Sequence, residues 1–294
     1  LLVNSGTNLV DERPVVCKIR GWSCGERRPT LQVLKSAARY ARLLTPLLAV
    51  LLLTGCNVAI DTPQNTFAPV GEVARDQRHL FFLAMWPAVV ILVLVWGALL
   101  YIVVRYRHRP GAPAPKQVHG NQPLEIAWTL APLALLLGLA GPMIGMIIEQ
   151  ADRPDPAENP LQVRVIGQQW VWRFQYPQYT DSQGRPLEMV GRGTEPAELH
   201  LPPNRKIDLA IESIDVIHSF WAPRLGGKVD AIPGRVNHLW LIAEEPGEYG
   251  GQCAEFCGLA HADMRMRVIV HDSQESFDAW AREQLARQGQ QAAR

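Results

Sequence analysis

Residues 251–264 read GQCAEFCGLAHADM and bring Cys253, Cys257, His261 and Met264 within twelve positions. Two thiolates, an imidazole and a thioether form a soft donor set, which suits copper far better than magnesium, calcium or manganese. A single type-1 copper uses one cysteine, two histidines and a weak axial methionine, so a second thiolate exceeds the needs of one ion. Two sulfurs can instead bridge two ions, each then needing an imidazole. His218, in ESIDVIHSFWAP beside Phe220 and Trp221, is the candidate for the second one. An apolar shell there would hold the ring and keep water out. The plain alternative for the CxxxC spacing is a disulfide in an oxidising compartment, which would require neither His261 nor Met264.

These residues need a rigid carrier, and the surrounding sequence supplies β-type alternation. LQVRVIGQQWVWRFQYP, RKIDLAIES, RVNHLWLIAEE and MRMRVIVHD alternate apolar and polar positions, separated by Pro202-Pro203-Asn204, Pro233-Gly234 and Pro246-Gly247. A mainly β domain is expected over 161–272, with His218 closing one strand and the cysteines on a tight loop after another. Alternation puts Trp170 and Trp172 on the same strand face. The proline-rich segment 149–160 is the expected linker before it, and 273–294 a C-terminal helix and tail, with Phe277, Trp280, Ala281 and Leu285 on the packed side.

Upstream, 80–104 and 127–148 carry no charged residue and are each long enough to cross a hydrocarbon core, which takes roughly 20 residues. Pro132, Gly138, Gly141 and Pro142 in the second are of the kind membrane helices tolerate. The loop 105–126 holds Arg105, Arg107, Arg109 and Lys116 against Glu125, while Glu149, Asp152, Asp155 and Glu158 follow the second span beside Arg153. The basic loop belongs on the cytoplasmic side, which puts both 57–79 and the β domain on the outer face. Lys35, Arg39 and Arg42 precede an apolar stretch and Leu-Thr-Gly-Cys, so 35–56 is expected to be a signal peptide with a lipobox-like end and Cys56 the lipidated residue. Residues 1–34 lack periodicity, begin with Leu and read as an unstructured or upstream extension, and neither Cys17 nor Cys24 is given a role. A net charge of +1 without a basic block argues against nucleic acid as a partner.

DVIHSF, KVDAIPGRVN and PGEYGGQCAEFCGLAHADM, together with GQQWVW at 167–172 and LEIAWTLAP at 124–132, resemble cytochrome c oxidase subunit II of bacterial haem-copper oxidases over roughly residues 75–272. The resemblance implies a membrane-anchored α+β chain, a two-helix transmembrane hairpin followed by a cupredoxin-like Greek-key β-barrel. It implies that Cys253 and Cys257 bridge two copper ions in a dinuclear copper A centre, that His218 and His261 give one imidazole each and that Met264 is a weak ligand. The main-chain carbonyl of Glu255 would face copper, and its carboxylate would reach a magnesium or manganese ion shared with subunit I. Trp170 would take electrons from cytochrome c, and Glu125 would stand at the mouth of a proton pathway.

The implied partners are cytochrome c, oxidase subunits I and III and membrane lipid, in the bacterial inner membrane with the N-terminus and copper domain periplasmic. Oxygen reduction, coupled to proton translocation, would take place in subunit I. Asp215, Glu212, Glu195 and Glu198 are candidates for an acidic docking patch, whereas Arg173 and Gln175 depart from less basic or acidic residues in several relatives. A membrane-anchored copper carrier is the competing reading, but it would need neither Trp170, Glu255 nor LEIAWT. A quinol oxidase subunit would lack the copper ligands, and nitrous-oxide reductase would need a further catalytic domain. With no CxxCH after the copper motif, a separate cytochrome donor is expected.

Overall fold

Two long helices, α1 (Glu72–Arg105) and α2 (Gln122–Ala151), precede ten strands and a C-terminal helix, α3 (Gln274–Ala292). The computed structural model describes residues 45–46, 62–107, 111, 113, 117–192 and 195–292. Apart from 45–46, the expected signal peptide and upstream extension, with Cys17, Cys24 and Cys56, lie outside the described residues, as do Arg109 and Lys116 of the basic loop. The elements below all belong to one unit, Ala59–Arg294.

Both long helices are apolar around their whole circumference, and residues such as Val103 and Leu137, each 67% exposed, have no protein to cover them. An all-round apolar helix of this length is satisfied by lipid. Each helix runs past the uncharged stretch within it, 80–104 in α1 and 127–148 in α2. α1 begins earlier because its first turn is a docking element. Val73 and Ala74 are buried, and Arg75 donates to both carboxylate oxygens of Glu244 at 2.6 Å. α2 begins at a capped turn: the Asn121 side chain accepts from the Leu124 N–H at 3.3 Å, while Glu125 Oε1 accepts from the Asn121 N–H at 3.0 Å. The reciprocal arrangement satisfies end groups that the helix itself leaves free.

The strands are β1 (Leu161–Gln168), β2 (Val171–Thr180), β3 (Pro186–Val190), β4 (Ala197–Leu201), β5 (Lys206–Ser213), β6 (His218–Ala222), β7 (Gly226–Ala231), β8 (Asn237–Ile242), β9 (Gly247–Cys253) and β10 (Arg265–Val270). They form two five-stranded sheets, ordered β3-β2-β1-β5-β8 and β4-β10-β9-β6-β7. The pairs β1 with β5 and β4 with β10 are parallel and the others antiparallel, so each sheet is built by chain crossings. This two-sheet sandwich is the cupredoxin-like arrangement that was expected. The inward faces supply the core, with Trp172, Phe174, Tyr176, Leu209, Ile211, Phe220 and Val268 fully buried. Alternation along β1 and β2 follows from one face meeting that core and the other not.

Three expectations change at the site. GQQWVW is not one strand: β1 ends at Gln168 and β2 starts at Val171, with Gln169 and Trp170 as the turn between them. Trp172 is then fully buried, whereas Trp170 is half-buried and leaves the strand alternation altogether. His218 opens β6 instead of closing the strand before it, because the main chain turns at Ser213–Val216, where the Asp215 carboxylate accepts from the Val216 N–H at 2.7 Å. The C-terminal helix spans Gln274–Ala292, inside the expected 273–294, and buries Phe277 and Ala281 on the expected side.

α3 closes over a histidine pair. His200 Nδ1 lies 3.0 Å from His271 Nε2, so one ring donates and the other accepts, and the Trp280 indole stacks on His200 at 3.9 Å between centroids. Burial holds both imidazoles below their ordinary range. Glu198, 3.2 Å from His200 Nε2, opposes this, while His271 and Arg267 add to it at His200, and Asp272 opposes it at His271. The unfolded chain therefore binds protons first. The pair's contribution to stability is present above the ordinary value near 6.5 and is lost as pH falls. Thermal melts of the full chain in detergent should show a His271→Gln variant losing less stability than wild type between pH 7.5 and 5. Parallel curves for the two would contradict this assignment.

Candidate metal centre

Two loops at one end of the sandwich bring the donors together. The first, between β5 and β6, delivers His218, whose side chain is fully buried. Asp215 fixes the ring: its Oδ1 lies 2.9 Å from His218 Nε2, and its Oδ2 accepts from the Gln169 N–H at 2.7 Å. A carboxylate facing Nε2 keeps the proton there, which leaves the Nδ1 lone pair free for a ligand. Nδ1 lies 3.9 Å from Cys253 Sγ. Gly167 lies beneath the ring, where a Cβ would come within 2.8 Å of His218 Cδ2, so only glycine lets the imidazole lie flat on β1.

The second loop joins β9 to β10. Cys253 ends β9, pairs across with Phe220 of β6, and donates its N–H to the Met264 carbonyl at 2.9 Å. The chain leaves and returns within a few residues. Cys257 Sγ comes to 3.9 Å from Cys253 Sγ, 3.6 Å from His261 Nδ1 and 3.8 Å from Met264 Sδ. The Glu255 main-chain oxygen lies 3.2 Å from Cys253 Sγ, while its side chain is exposed. The cysteines are free and buried, their sulfurs well beyond the roughly 2.05 Å of a disulfide bond.

The geometry suits soft metal ions. A metal–sulfur bond is about 2.3 Å long, so an ion can reach both sulfurs at once from either side of the line joining them. An imidazole nitrogen stands next to each sulfur, His218 by Cys253 and His261 by Cys257. Among the described residues, the donor atoms of His218, Cys253 and Cys257 lie within 4.8 Å of one another. Burial opposes charge on Cys253, but the His218 imidazole and main-chain hydrogen bonds at Ser219 and Glu255 outweigh it and hold that thiol below the ordinary cysteine range. Burial and the adjacent Cys253 push Cys257 up. One sulfur is thus prepared as a thiolate, while the other needs a cation beside it to ionise.

Trp170 and Gln169 complete the site from the β1–β2 turn. The Trp170 indole Nε1 donates to the Cys257 carbonyl at 3.1 Å, and the Gln169 side chain donates to the same oxygen at 2.8 Å. Outside the donors, Phe256 and Leu259 project from the loop, 77% and 98% exposed, and form an apolar rim. The structure thus brings together His218, Cys253, Cys257, His261, Met264, the Glu255 main chain and Trp170. It leaves Glu125 apart, in the first turn of α2 with its capping contact.

Sequence reasoning named Asp215 only as a docking acid and gave Gln169 and Gly167 no role. A carboxylate three residues before a candidate histidine ligand was a signal for Asp215, whereas nothing in the spacing pointed to Gln169. Of the other acids considered for docking, Glu212 pairs with Arg164, and Glu198 pairs with Arg267 at 2.6 Å. Arg173 pairs with Glu188 at 3.4 Å.

Two family models match the chain: Cytochrome C oxidase subunit II, periplasmic domain, over residues 161–272, and Cytochrome C oxidase subunit II, transmembrane domain, over residues 68–145. The chain is 35% identical over 279 residues to cytochrome c oxidase subunit 2 of Alkalihalophilus pseudofirmus, covering 89% of this chain and 75% of that one. It is 32% identical to cytochrome c oxidase subunit 2 of Cereibacter sphaeroides, covering 73% and 78%. Among solved structures it is similar to the periplasmic domain of subunit II of cytochrome oxidase of Bradyrhizobium japonicum, at 30% identity and a TM-score of 0.39, over 47% of this chain and 98% of that one.

Gly167→Ala tests how tightly the His218 ring is seated. The added methyl meets the imidazole carbons, and overpacking of this kind costs about 1–3 kcal/mol. Chemical denaturation of the metal-free chain should register that loss. A variant as stable as wild type would mean that the ring is free to move.

Proposed function

The chain belongs to the cytochrome c oxidase subunit II family, and on that footing we propose that it accepts electrons from cytochrome c at a dinuclear copper A centre and passes them to haem in subunit I, where oxygen is reduced to water with proton translocation. The observation that carries this reading is the pair of free, buried sulfurs 3.9 Å apart with an imidazole nitrogen beside each. Two coppers bridged by Cys253 and Cys257 would supply a one-electron carrier whose charge is shared between equivalent ions. A carrier or chaperone for one copper would use only half of this donor set.

The chain's own residues do the remaining work. Asp215 holds the His218 tautomer, while Trp172 and Phe220, each with its ring centroid 6.0 Å from the next in the sequence His218, Trp172, Phe220, keep water from the inner side. His261 and Met264 complete the donor set from the loop side. The Trp170 ring, half-buried at the surface and hydrogen-bonded to the Cys257 carbonyl, offers a short covalent and hydrogen-bonded route from the outside to a ligand. The apolar rim of Phe256 and Leu259 suits a transient partner that must desolvate a small patch and leave again. The exposed Glu255 carboxylate borders an open groove that also holds Lys228, Asp230 and Arg235, and its hard oxygen donors suit a magnesium or manganese ion shared with subunit I.

In this reading α1 and α2 cross the bacterial inner membrane among lipid and beside subunits I and III, with the 105–126 loop cytoplasmic and the 161–272 domain periplasmic. The proton-pathway role of Glu125 rests on its place in LEIAWTLAP, since its capping contact is reason enough for a carboxylate there. Export through the 35–56 signal and lipidation at Cys56 belong to the same proposal and rest on sequence pattern.

Metal analysis of the full chain in detergent after copper loading should give two coppers per protein and a paramagnetic signal shared between equivalent ions. Cys257→Ser should abolish that signal. One copper, or none with a Cys253–Cys257 disulfide, would overturn the reading. Trp170→Phe should keep both coppers yet slow electron uptake from reduced cytochrome c by about tenfold or more, followed by stopped-flow absorbance.

A further inference from the structure

Gln169 is exposed and occupies a two-residue hairpin turn, a place where the fold makes little demand on the side chain. It is nevertheless engaged in two directions. Its main-chain N–H donates to Asp215 Oδ2 at 2.7 Å, and Asp215 Oδ1 faces His218 Nε2 at 2.9 Å. Its side-chain amide donates to the Cys257 carbonyl at 2.8 Å, beside the 3.1 Å bond from Trp170 Nε1. Among the described residues, no other hydrogen bond reaches 255–260 from outside the 253–264 segment. The loop backbone is also fitted against this turn: Gly258, at φ +118°, would bring a Cβ within 3.2 Å of both Gln169 Nε2 and the Trp170 ring.

The two ligand loops are otherwise joined mainly at their roots. Cys253 pairs with β6, and the Ala254 N–H donates to the Ser219 carbonyl at 2.9 Å. Those bonds fix Cys253 relative to His218 and leave the far half of the loop, which carries Cys257 and leads into His261, to be held by something else. We propose that Gln169 is a positioning residue for the metal centre, bracing the His218 loop through its main chain and the Cys257–His261 loop through its side chain, so that the donor separations are set before any ion arrives. The part of this that concerns copper rests on the proposed dinuclear site. The brace between the loops does not need the metal.

A carboxylate only accepts, and a leucine side chain neither donates nor accepts, so Gln169→Glu and Gln169→Leu both delete the bond to Cys257 while keeping the main-chain bond to Asp215. The full chain in detergent serves for both measurements. In the reduced, metal-free state, Cys257 should react with a maleimide several-fold faster in both variants, with an unchanged thermal midpoint because the side chain is exposed. After copper loading, both should hold copper about tenfold or more weakly in competition with a copper(I) chelator, as for other groups that orient metal ligands, and the reduction potential should move. Labelling at the wild-type rate with unchanged affinity would overturn the brace, as would faster labelling that merely tracks a loss of global stability. Wild-type protein holding fewer than two coppers would sink the dinuclear reading, while the labelling comparison would still decide the brace.

Discussion

Two cysteine sulfurs held 3.9 Å apart are close enough to share an ion and too far apart to bond to each other. A flexible loop would not keep that separation, since in an oxidising compartment the disulfide is an available exit. The interval between the sulfurs is therefore a demand on the scaffold. The sandwich meets it by anchoring Cys253 in a strand and returning the chain through Met264, whose carbonyl accepts the Cys253 N–H. Cys257 is reached from the neighbouring hairpin through hydrogen bonds to its carbonyl.

Burial and charge are balanced within the same few ångströms. A wholly apolar pocket would disfavour both thiolates, and a solvated one would let water compete for the ligand positions. The carboxylate of Asp215, its side chain 27% exposed, sits behind the fully buried imidazole and stabilises its protonated Nε2 while the rest of the ring touches Gly167 and the aromatic core. Charge at the imidazole thus enters through an orienting residue at the edge of the site, while His218, Cys253, Cys257 and Met264 are buried and His261 is partly open.

Much of this could be read in the chain. The donor set is local, because Cys253, Cys257, His261 and Met264 lie on one loop, and soft ligands at that spacing carry their own chemical meaning. His218 was found because two bridged ions need a second imidazole. The β character and the two apolar spans followed from periodicity and length. What stayed hidden depends on where strands end. Nothing local shows that GQQWVW breaks at Gln169, and so the alternation that placed Trp170 beside Trp172 failed. Asp215 acts on His218 three residues away, but the contacts of Gln169 join segments more than 40 residues apart in sequence, and a single sequence carries no trace of such pairings. Glu125 was legible as a carboxylate at a helix start, but its partner Asn121 emerged only from the structure.

The attachment of the sandwich to its helices carries a mechanical meaning. At the start of α1, the Val70 carbonyl accepts from the Glu244 N–H, Gly71 bridges to Ala243, and Arg75 grips the Glu244 carboxylate. At the end of α2, the Trp240 indole donates to the Glu149 carbonyl at 3.3 Å, and Arg153 pairs with Asp208 at 2.6 Å. Both sets of bonds converge on β8, the residues just after it and its neighbour β5. A body hung from one such point could swivel about it, but a body fastened at two cannot turn without releasing one of them. The loops that carry the candidate donors are thereby kept at a set height and bearing relative to the two long helices.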